Sequence, residues 1–123
     1  MKKTSVRNYL IEEGLQLKSG EILISPNIAY ETWGNLNKDF SNAVLVTTGL
    51  SPSSHIASNE LNIEQGWWEN IIGPNKAIDT NRFFVICANS LGSCFGSTGP
   101  SSKNPQTNQP YQLLFPRLSI EDI

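Results

Sequence analysis

Residues 83–99, FFVICANSLGSCFGSTG, join an apolar run of strand type to a loop that is rich in glycine. The run at 83–88 contains no charged residue and combines aromatic and β-branched side chains, a composition typical of a buried strand. In open α/β sheets, a buried strand that ends in such a loop presents its backbone to a ligand at the carboxyl end of the strand. This stretch therefore predicts an α/β fold with a functional loop after the strand.

The loop also contains a candidate nucleophile. Residues 92–96 read GSCFG and fit a G-x-nucleophile-x-G elbow with Cys94 at its centre. A cysteine nucleophile requires a neighbouring base, and His55 is the only histidine in the chain. Cys94 is thus either a nucleophile or a scaffold residue, while Cys87, within the strand, is most simply a small buried apolar residue.

Composition narrows the class of protein. A chain of 123 residues can build one small core but not two ordinary domains. With 38% hydrophobic and 16% charged residues and a net charge of −2, it offers no electrostatic reason to bind nucleic acid or an anionic membrane. No apolar run reaches the roughly 18 residues of a membrane span, and no signal peptide is recognisable. Two cysteines and one histidine suggest neither a disulfide framework nor a metal site, so we expect a cytoplasmic protein.

Three segments before this stretch have strand character. Residues 8–17 suit a strand or hairpin arm, and residues 22–34 read as one strand whose Pro26, lacking an N–H, predicts an edge or bulged position. The run AVLVTT at 43–48 predicts a strand that is buried on both faces. The order of these strands is that of an α/β sheet.

Two segments have helix signals. Apolar residues at 67, 68, 71 and 72 have helical spacing, and Gly73 and Pro74 would end that helix. Ser119, followed by two acidic residues, predicts the N-cap of a second helix, and the chain ends within its first turn. We therefore expect residues 1–123 to be the N-terminal portion of a single α/β domain that is cut at the start of a helix near 119.

From about Tyr9 onward, the sequence resembles the homoserine O-acyltransferase family, whose fold is that of the α/β-hydrolases. The matching blocks keep their order and spacing over most of the chain; they are residues 28–37, 42–46, 66–68, 73–74, 76–80, 83–87 and 89–102. The resemblance implies the first strands, oxyanion loop and first helix of that fold, in an incomplete sheet.

The resemblance also implies a chemistry. Members transfer an acyl group from acyl-CoA to the hydroxyl of homoserine or serine, in methionine or cysteine biosynthesis, through a Ser-Asp-His triad. No G-x-S-x-G is present, so we expect this chain to lack the triad and to be inactive by itself. Acyl-CoA (acetyl-CoA or succinyl-CoA) would be a co-substrate, with no bound cofactor or metal, and the resemblance allows a homodimeric parent enzyme.

Within this resemblance, the loop after residues 43–48 carries the site residues. The backbone N–H of Leu50 corresponds to an oxyanion-hole donor, and the residues expected to set substrate specificity are Gly49, Leu50, Ser51, Pro52 and Ser53. Their sequence resembles the serine O-succinyltransferase branch, although acetyl or succinyl donors and homoserine or serine acceptors all stay open. His55 is expected to make structural hydrogen bonds, and Cys94 then becomes scaffold.

Two other classes of function also stay open. The chain could be a non-catalytic module, or part of an esterase of the same fold that uses water as acceptor. The missing strands would leave an open apolar sheet edge, for which we expect marginal stability.

Overall fold

The computed structural model describes residues 5–49 and 51–123. Within them lie eight strands: β1 (Arg7–Leu10), β2 (Leu15–Gln16), β3 (Ile22–Leu23), β4 (Asn27–Trp33), β5 (Ala43–Thr47), β6 (Ile72–Gly73), β7 (Ile78–Asp79) and β8 (Phe84–Ala88). Two 3-10 helical turns follow, at Gln112–Leu114 and Ile120–Asp122. The described residues form no α-helix, and no helix among them has the length and apolar character to cross a membrane.

The main sheet is mixed. Its strand order is β1-β4-β8-β5, with β4 antiparallel and β5 parallel to β8. Two small sheets accompany it: antiparallel β2-β3 and parallel β6-β7. The strand predicted from the apolar run at 83–88 is confirmed as β8, which pairs with β4 on one side and β5 on the other.

By contacts the described chain divides into two compact units. The first contains residues 5–7 and 30–88, and its buried core consists of Trp33, Val46, Ile56, Ala57, Ile72, Val85 and Cys87. The second contains residues 8–29 and 89–123, and its buried core consists of Leu17, Leu23, Leu91 and Tyr111. Each unit therefore has apolar side chains of its own to bury.

Strand β4 alternates strictly between its two faces. Ala29, Glu31 and Trp33 are 0%, 2% and 6% exposed, whereas the residues between them are partly exposed. Glu31 lies opposite Cys87 in the β4–β8 register, so a carboxyl group occupies a position where a strand normally buries an apolar side chain.

The single strand predicted for residues 22–34 is wrong. The chain forms β3, leaves the extended conformation at Ser25 (φ 43°), and starts β4 after Pro26. Because Pro26 lies just before β4, its missing N–H removes no ladder bond, and β4 lies inside the sheet rather than at its edge.

The prediction that residues 43–48 are buried on both faces is also wrong. Val46 is 7% exposed, but Leu45, which points to the other face, is 67% exposed. β5 lies at the edge of the described sheet, and the described residues contain no helix to cover its second face.

The helix predicted from Trp67 to Ile72 is wrong as well. The segment is a run of turns in which only Ile72 N–H bonds four residues back, to the carbonyl of Trp68, before β6 begins. The N–H of Trp68 is donated instead to the carbonyl of Ile56 (2.8 Å). The N–H groups of Glu69 and Ile71 bond to the third residue back, at Gly66 and Trp68. One helical turn without continuation is not a stable helix.

The second helix signal was partly right. Ser119 precedes a 3-10 turn rather than an α-helix. The N–H and Oγ–H of Ser119 donate hydrogen bonds to the Asp122 carboxylate, at 2.7 Å and 2.8 Å. These bonds, with that from the Lys18 N–H (2.8 Å), lower the pKa of Asp122.

Candidate functional site

The candidate site is the loop after β5, residues 49–53, which we call the β5 loop. Gly49 and Ser51 are exposed, while Pro52 and Ser53 are half-buried. Leu50 lies outside the described residues, so its backbone N–H as an oxyanion donor stays a prediction. What the structure does show is how the carboxyl end of the loop is held.

Two indole groups bind backbone carbonyls at the end of the β5 loop and in the segment after it. Trp67 donates its Nε1–H to the carbonyl of Ser53 (2.8 Å). Trp33, buried in β4, donates its Nε1–H to the carbonyls of Ala57 (3.1 Å) and Ser58 (3.2 Å). An indole contributes only a donor, and here each donor satisfies carbonyls of an irregular segment that has no strand partner.

His55 joins this segment to the sheet. Its Nδ1 lies 3.1 Å from Oε2 of Glu31, and its Nε2 lies 2.9 Å from the carbonyl oxygen of Glu64. The Glu31 carboxylate also accepts a bond from Nδ2 of Asn59 (3.3 Å). The prediction that His55 makes structural hydrogen bonds is confirmed, and neither ring nitrogen is left to serve as a base.

The pKa of His55 is raised above its ordinary value. Burial alone lowers it, because the charged ring loses water, but three favourable effects outweigh this loss. They are the bond to the Glu64 carbonyl, the bond to the Glu31 carboxylate, and the attraction of both carboxylates.

A second carboxylate ties residue 58 to residues 66–69. Glu69 accepts bonds from the N–H (2.7 Å) and Oγ–H (2.8 Å) of Ser58 and from the N–H of Gly66 (3.1 Å). Lys76 donates its Nζ–H to the Glu69 carbonyl and lies 3.4 Å from its carboxylate. Chiefly because of the Ser58 and Gly66 bonds, the pKa of Glu69 falls to about 2.

Gly66 allows two backbone segments to touch. A Cβ at this position would lie 2.1 Å from the carbonyl carbon of Ile56 and 2.2 Å from the nitrogen of Ala57. Only a residue without a side chain permits this approach, which brings Trp67 and Trp68 against the segment after the β5 loop.

The structure does not support Cys94 as a nucleophile. Cys94 is exposed in an irregular loop six residues after β8, without the strand-turn-helix geometry of an elbow. Both nitrogens of His55 are already bonded elsewhere. Cys87 is buried as expected, and burial raises the pKa of its thiol to about 12, which makes it inert.

A metal site requires several ligating side chains close together. Among residues 5–49 and 51–123, no three His, Cys, Asp or Glu side chains are grouped to hold a metal ion. A cavity of about 480 Å³ lies in the first unit, lined among others by Arg7, Trp33 and Asn59. None of the described β5-loop residues, 49 and 51–53, lines it.

Sequence reasoning missed the residues that hold the loop. It assigned no role to Glu31, Glu69 or Lys76, and it used Trp67 only as an apolar position with helical spacing. For Glu31 a signal was available, because it occupies the buried phase of an alternating strand between Ala29 and Trp33. A carboxylate at such a position needs a buried partner.

Comparisons with known proteins agree with the resemblance. The chain is 55% identical over 120 residues to the serine O-succinyltransferase of Xanthomonas campestris pv. campestris (strain B100), which covers 98% of this chain and 32% of that protein. The chain thus spans about a third of the length of the curated relatives that it matches. No protein-family profile matches the chain.

Solved structures agree as well. Homoserine O-acetyltransferase from Bacillus anthracis matches with a TM-score of 0.83 and 35% identity, over 95% of this chain and 33% of that one. Esterase E22 matches with a TM-score of 0.82 and 37% identity, over 95% and 34%. The described sheet is therefore similar to one part of an α/β-hydrolase fold, and the predicted fold class is confirmed.

Proposed function

We propose that this chain is the N-terminal portion of a single-domain, cytoplasmic O-acyltransferase of α/β-hydrolase fold, and that the whole enzyme transfers a succinyl group from succinyl-CoA to L-serine. The observation that carries the proposal is the 55% identity to a serine O-succinyltransferase over 120 residues. Acetyl-CoA and homoserine are the alternative substrates, because the homoserine O-acetyltransferase structure is also similar, at 35% identity.

In this proposal the chain supplies one wall of the active site. The N–H of Leu50 would donate to the oxyanion that forms when the acyl group is transferred. Removal of one such donor costs about 3–4 kcal/mol of transition-state stabilisation in enzymes where this has been measured. The rest of the β5 loop would contact the acyl group or the acceptor, while the nucleophile, acid and base would come from other parts of the enzyme.

The test uses the product of the complete reading frame that contains this chain. CoA release is measured with succinyl-CoA or acetyl-CoA, each with L-serine, with L-homoserine and without an amino acid. We expect the highest kcat/KM with succinyl-CoA and L-serine. Preference for acetyl-CoA with homoserine would replace the substrates but keep the reaction class.

An esterase is the second candidate, because esterase E22 matches the fold at 37% identity. In that case water is the acceptor. CoA release, or hydrolysis of a short-chain ester, would then proceed at the same rate with and without an amino acid, and this result would refute the transferase.

For the 123-residue chain alone, we expect no turnover with any of these substrate pairs, because it contains no G-x-S-x-G and its one histidine is fully engaged. If the coding DNA after Ile123 shows no frame, shifted or not, that encodes a helix and a G-x-S-x-G turn, the non-catalytic module becomes the better reading.

A further inference from the structure

We propose that Glu31 and His55 are positioning residues, a buried carboxylate and a doubly protonated imidazolium that together fix the carboxyl end of the β5 loop. The pairing itself is independent of the proposed function, and only its effect on catalysis rests on it.

Both nitrogens of His55 face oxygen atoms that only accept hydrogen bonds. Nδ1 faces the Glu31 carboxylate at 3.1 Å, and Nε2 faces the Glu64 carbonyl at 2.9 Å. A neutral imidazole has one N–H and could satisfy only one of them. Asn62 Nδ2 also lies 3.5 Å from Nδ1 and 3.4 Å from Nε2, but these contacts are longer than those to the two oxygens. The imidazolium satisfies both oxygens, so the geometry favours the charged form.

Glu31 in turn requires a cation. Its side chain is 3% exposed, and a carboxylate with so little water is unfavourable unless it is paired and hydrogen-bonded. His55 supplies the charge, and Asn59 donates a further bond at 3.3 Å. Since no buried side-chain polar atom among the described residues lacks a partner, the cluster is complete as it stands.

The pair lies close to the β5 loop along the chain. His55 follows Ser53 by two residues, and its own N–H is donated to Ser53 Oγ (3.3 Å). The carbonyl of Ser53 is held at the same time by Trp67. With β5 before it and these bonds after it, the loop is attached at both ends. Loss of the charge on His55 would weaken the second attachment, while the bond from Trp67 would remain.

The attachment depends on pH. The polar and charged groups that face the pair come from β4, β8 and residues 59–64; they are Glu31, Cys87, Asn59, Asn62 and Glu64. Because the pKa of His55 is raised in the folded chain, the pair stabilises the fold fully below about pH 6.5. Its contribution is lost as the pH rises through the raised pKa.

The experiment is an NMR titration of the ¹⁵N-labelled 123-residue chain. Its single histidine makes the two ring-nitrogen signals unambiguous. We expect the imidazolium pattern to persist above about pH 6.5, where an ordinary histidine is half neutral. When His55 loses its proton, the amides of Gly49, Ser51 and Ser53 should shift with the same midpoint.

Glu31→Gln should lower the midpoint of His55 below about 6.5, because burial then dominates. Glu60→Gln removes an exposed carboxylate from the same segment and should leave the midpoint unchanged. A neutral His55 at about pH 6.5, or a titration that leaves the loop amides in place, would overturn the proposal even if the enzyme is a transferase. Neither measurement depends on activity.

In the product of the complete reading frame, kcat should fall as the pH rises, with the same midpoint as the titration of His55. The KM for acyl-CoA should change little. In Glu31→Gln that fall should move to lower pH, and Glu31→Asp should restore part of the shift. A kcat profile that is identical in the wild type and Glu31→Gln would show that the pair does not position the loop for catalysis.

Discussion

The loops that follow β5 and β8 are held in different ways, although the two strands are parallel neighbours. The segment after β5 is held by charged groups, the Glu31–His55 pair and the Glu69 carboxylate. The loop after β8 is held by neutral bonds: Asn89 donates its Nδ2–H to the carbonyl of Phe95 (2.9 Å), and Ser97 donates its Oγ–H to the carbonyl of Asn89 (2.6 Å).

Neutral bonds also join the β8 loop to the start of β4. The N–H of Asn27 is donated to Thr98 Oγ1 and the N–H of Thr98 to the carbonyl of Asn27, both at 2.8 Å, while the N–H of Ala29 is donated to Ser97 Oγ at 2.9 Å. These bonds do not titrate near neutral pH. The named bonds of the loop after β8 therefore do not involve titratable groups, whereas those that hold the segment after β5 do.

The largest expected effect is that of His55→Ala. It leaves Glu31 buried without its cation, and breaking a buried pair in this way typically costs 3–5 kcal/mol. We expect a loss of about that size in the free energy of unfolding at pH 6, measured by urea denaturation. Ser51→Ala is the control, because it changes an exposed residue of the β5 loop. Equal stability of the two variants would mean that the Glu31–His55 pair does not stabilise the fold.

Glu69→Ala should have the next largest effect, about 1.5–3 kcal/mol, because hydrogen bonds to a charged group contribute this much and the N–H groups of Ser58 and Gly66 lose their acceptor. Since the pKa of Glu69 is lowered to about 2, its contribution is present above the ordinary value of 4.5 and is lost as the pH falls towards 2.

The acid dependence can be checked with Glu69→Gln, which keeps the shape of the side chain. Between pH 5 and pH 3 the wild type should lose more stability than this variant in urea denaturation. An equal loss of stability in the wild type and in Glu69→Gln would show that the charge of Glu69 does not stabilise the fold.

Asn89→Ala tests the other side of the comparison. Loss of the neutral bond to the Phe95 carbonyl should cost about 1 kcal/mol. Unlike the cost of His55→Ala, this cost should be the same at pH 6 and pH 8, as read from urea denaturation at both values. A cost that changes with pH would show that the β8 loop is coupled to a titrating group.

Cys94→Ser should have the smallest effect, within about 0.5 kcal/mol in thermal unfolding, because the side chain is exposed. It should also leave the activity of the complete enzyme unchanged. Turnover that disappears in this variant would instead restore Cys94 as the nucleophile.

Local sequence patterns correctly predicted the elements that depend on a continuous run of strand-forming residues. The strands at 43–47 and 84–88 have unbroken apolar runs, and the structure places them where the sequence did. The fold class followed from motif blocks along most of the chain, and the similar solved structures confirm it. Of the site, the sequence predicted the structural role of His55, while the roles of Leu50 and of its neighbours in the β5 loop stay predictions.

The failures have a common physical cause, which is a partner far away in sequence. The N–H of Trp68 bonds to Ile56, an approach that Gly66 makes possible, and the carbonyl of Ile71 accepts from the N–H of Ile78, so backbone groups at 67–72 are bonded to distant segments. Glu31 finds its cation 24 residues later. Periodicity reports which face a residue occupies, but it does not report which distant group will meet it there.

The strand order of the main sheet has a consequence for synthesis on the ribosome. β5 pairs only with β8 in the described sheet, yet β8 is the last of the four strands to be translated. At roughly 5–20 residues per second, β5 waits about 2–8 s with both edges unpaired. During this interval the nascent chain exposes an apolar strand to other chains and to chaperones, and slower translation between residues 47 and 88 would lengthen that exposure.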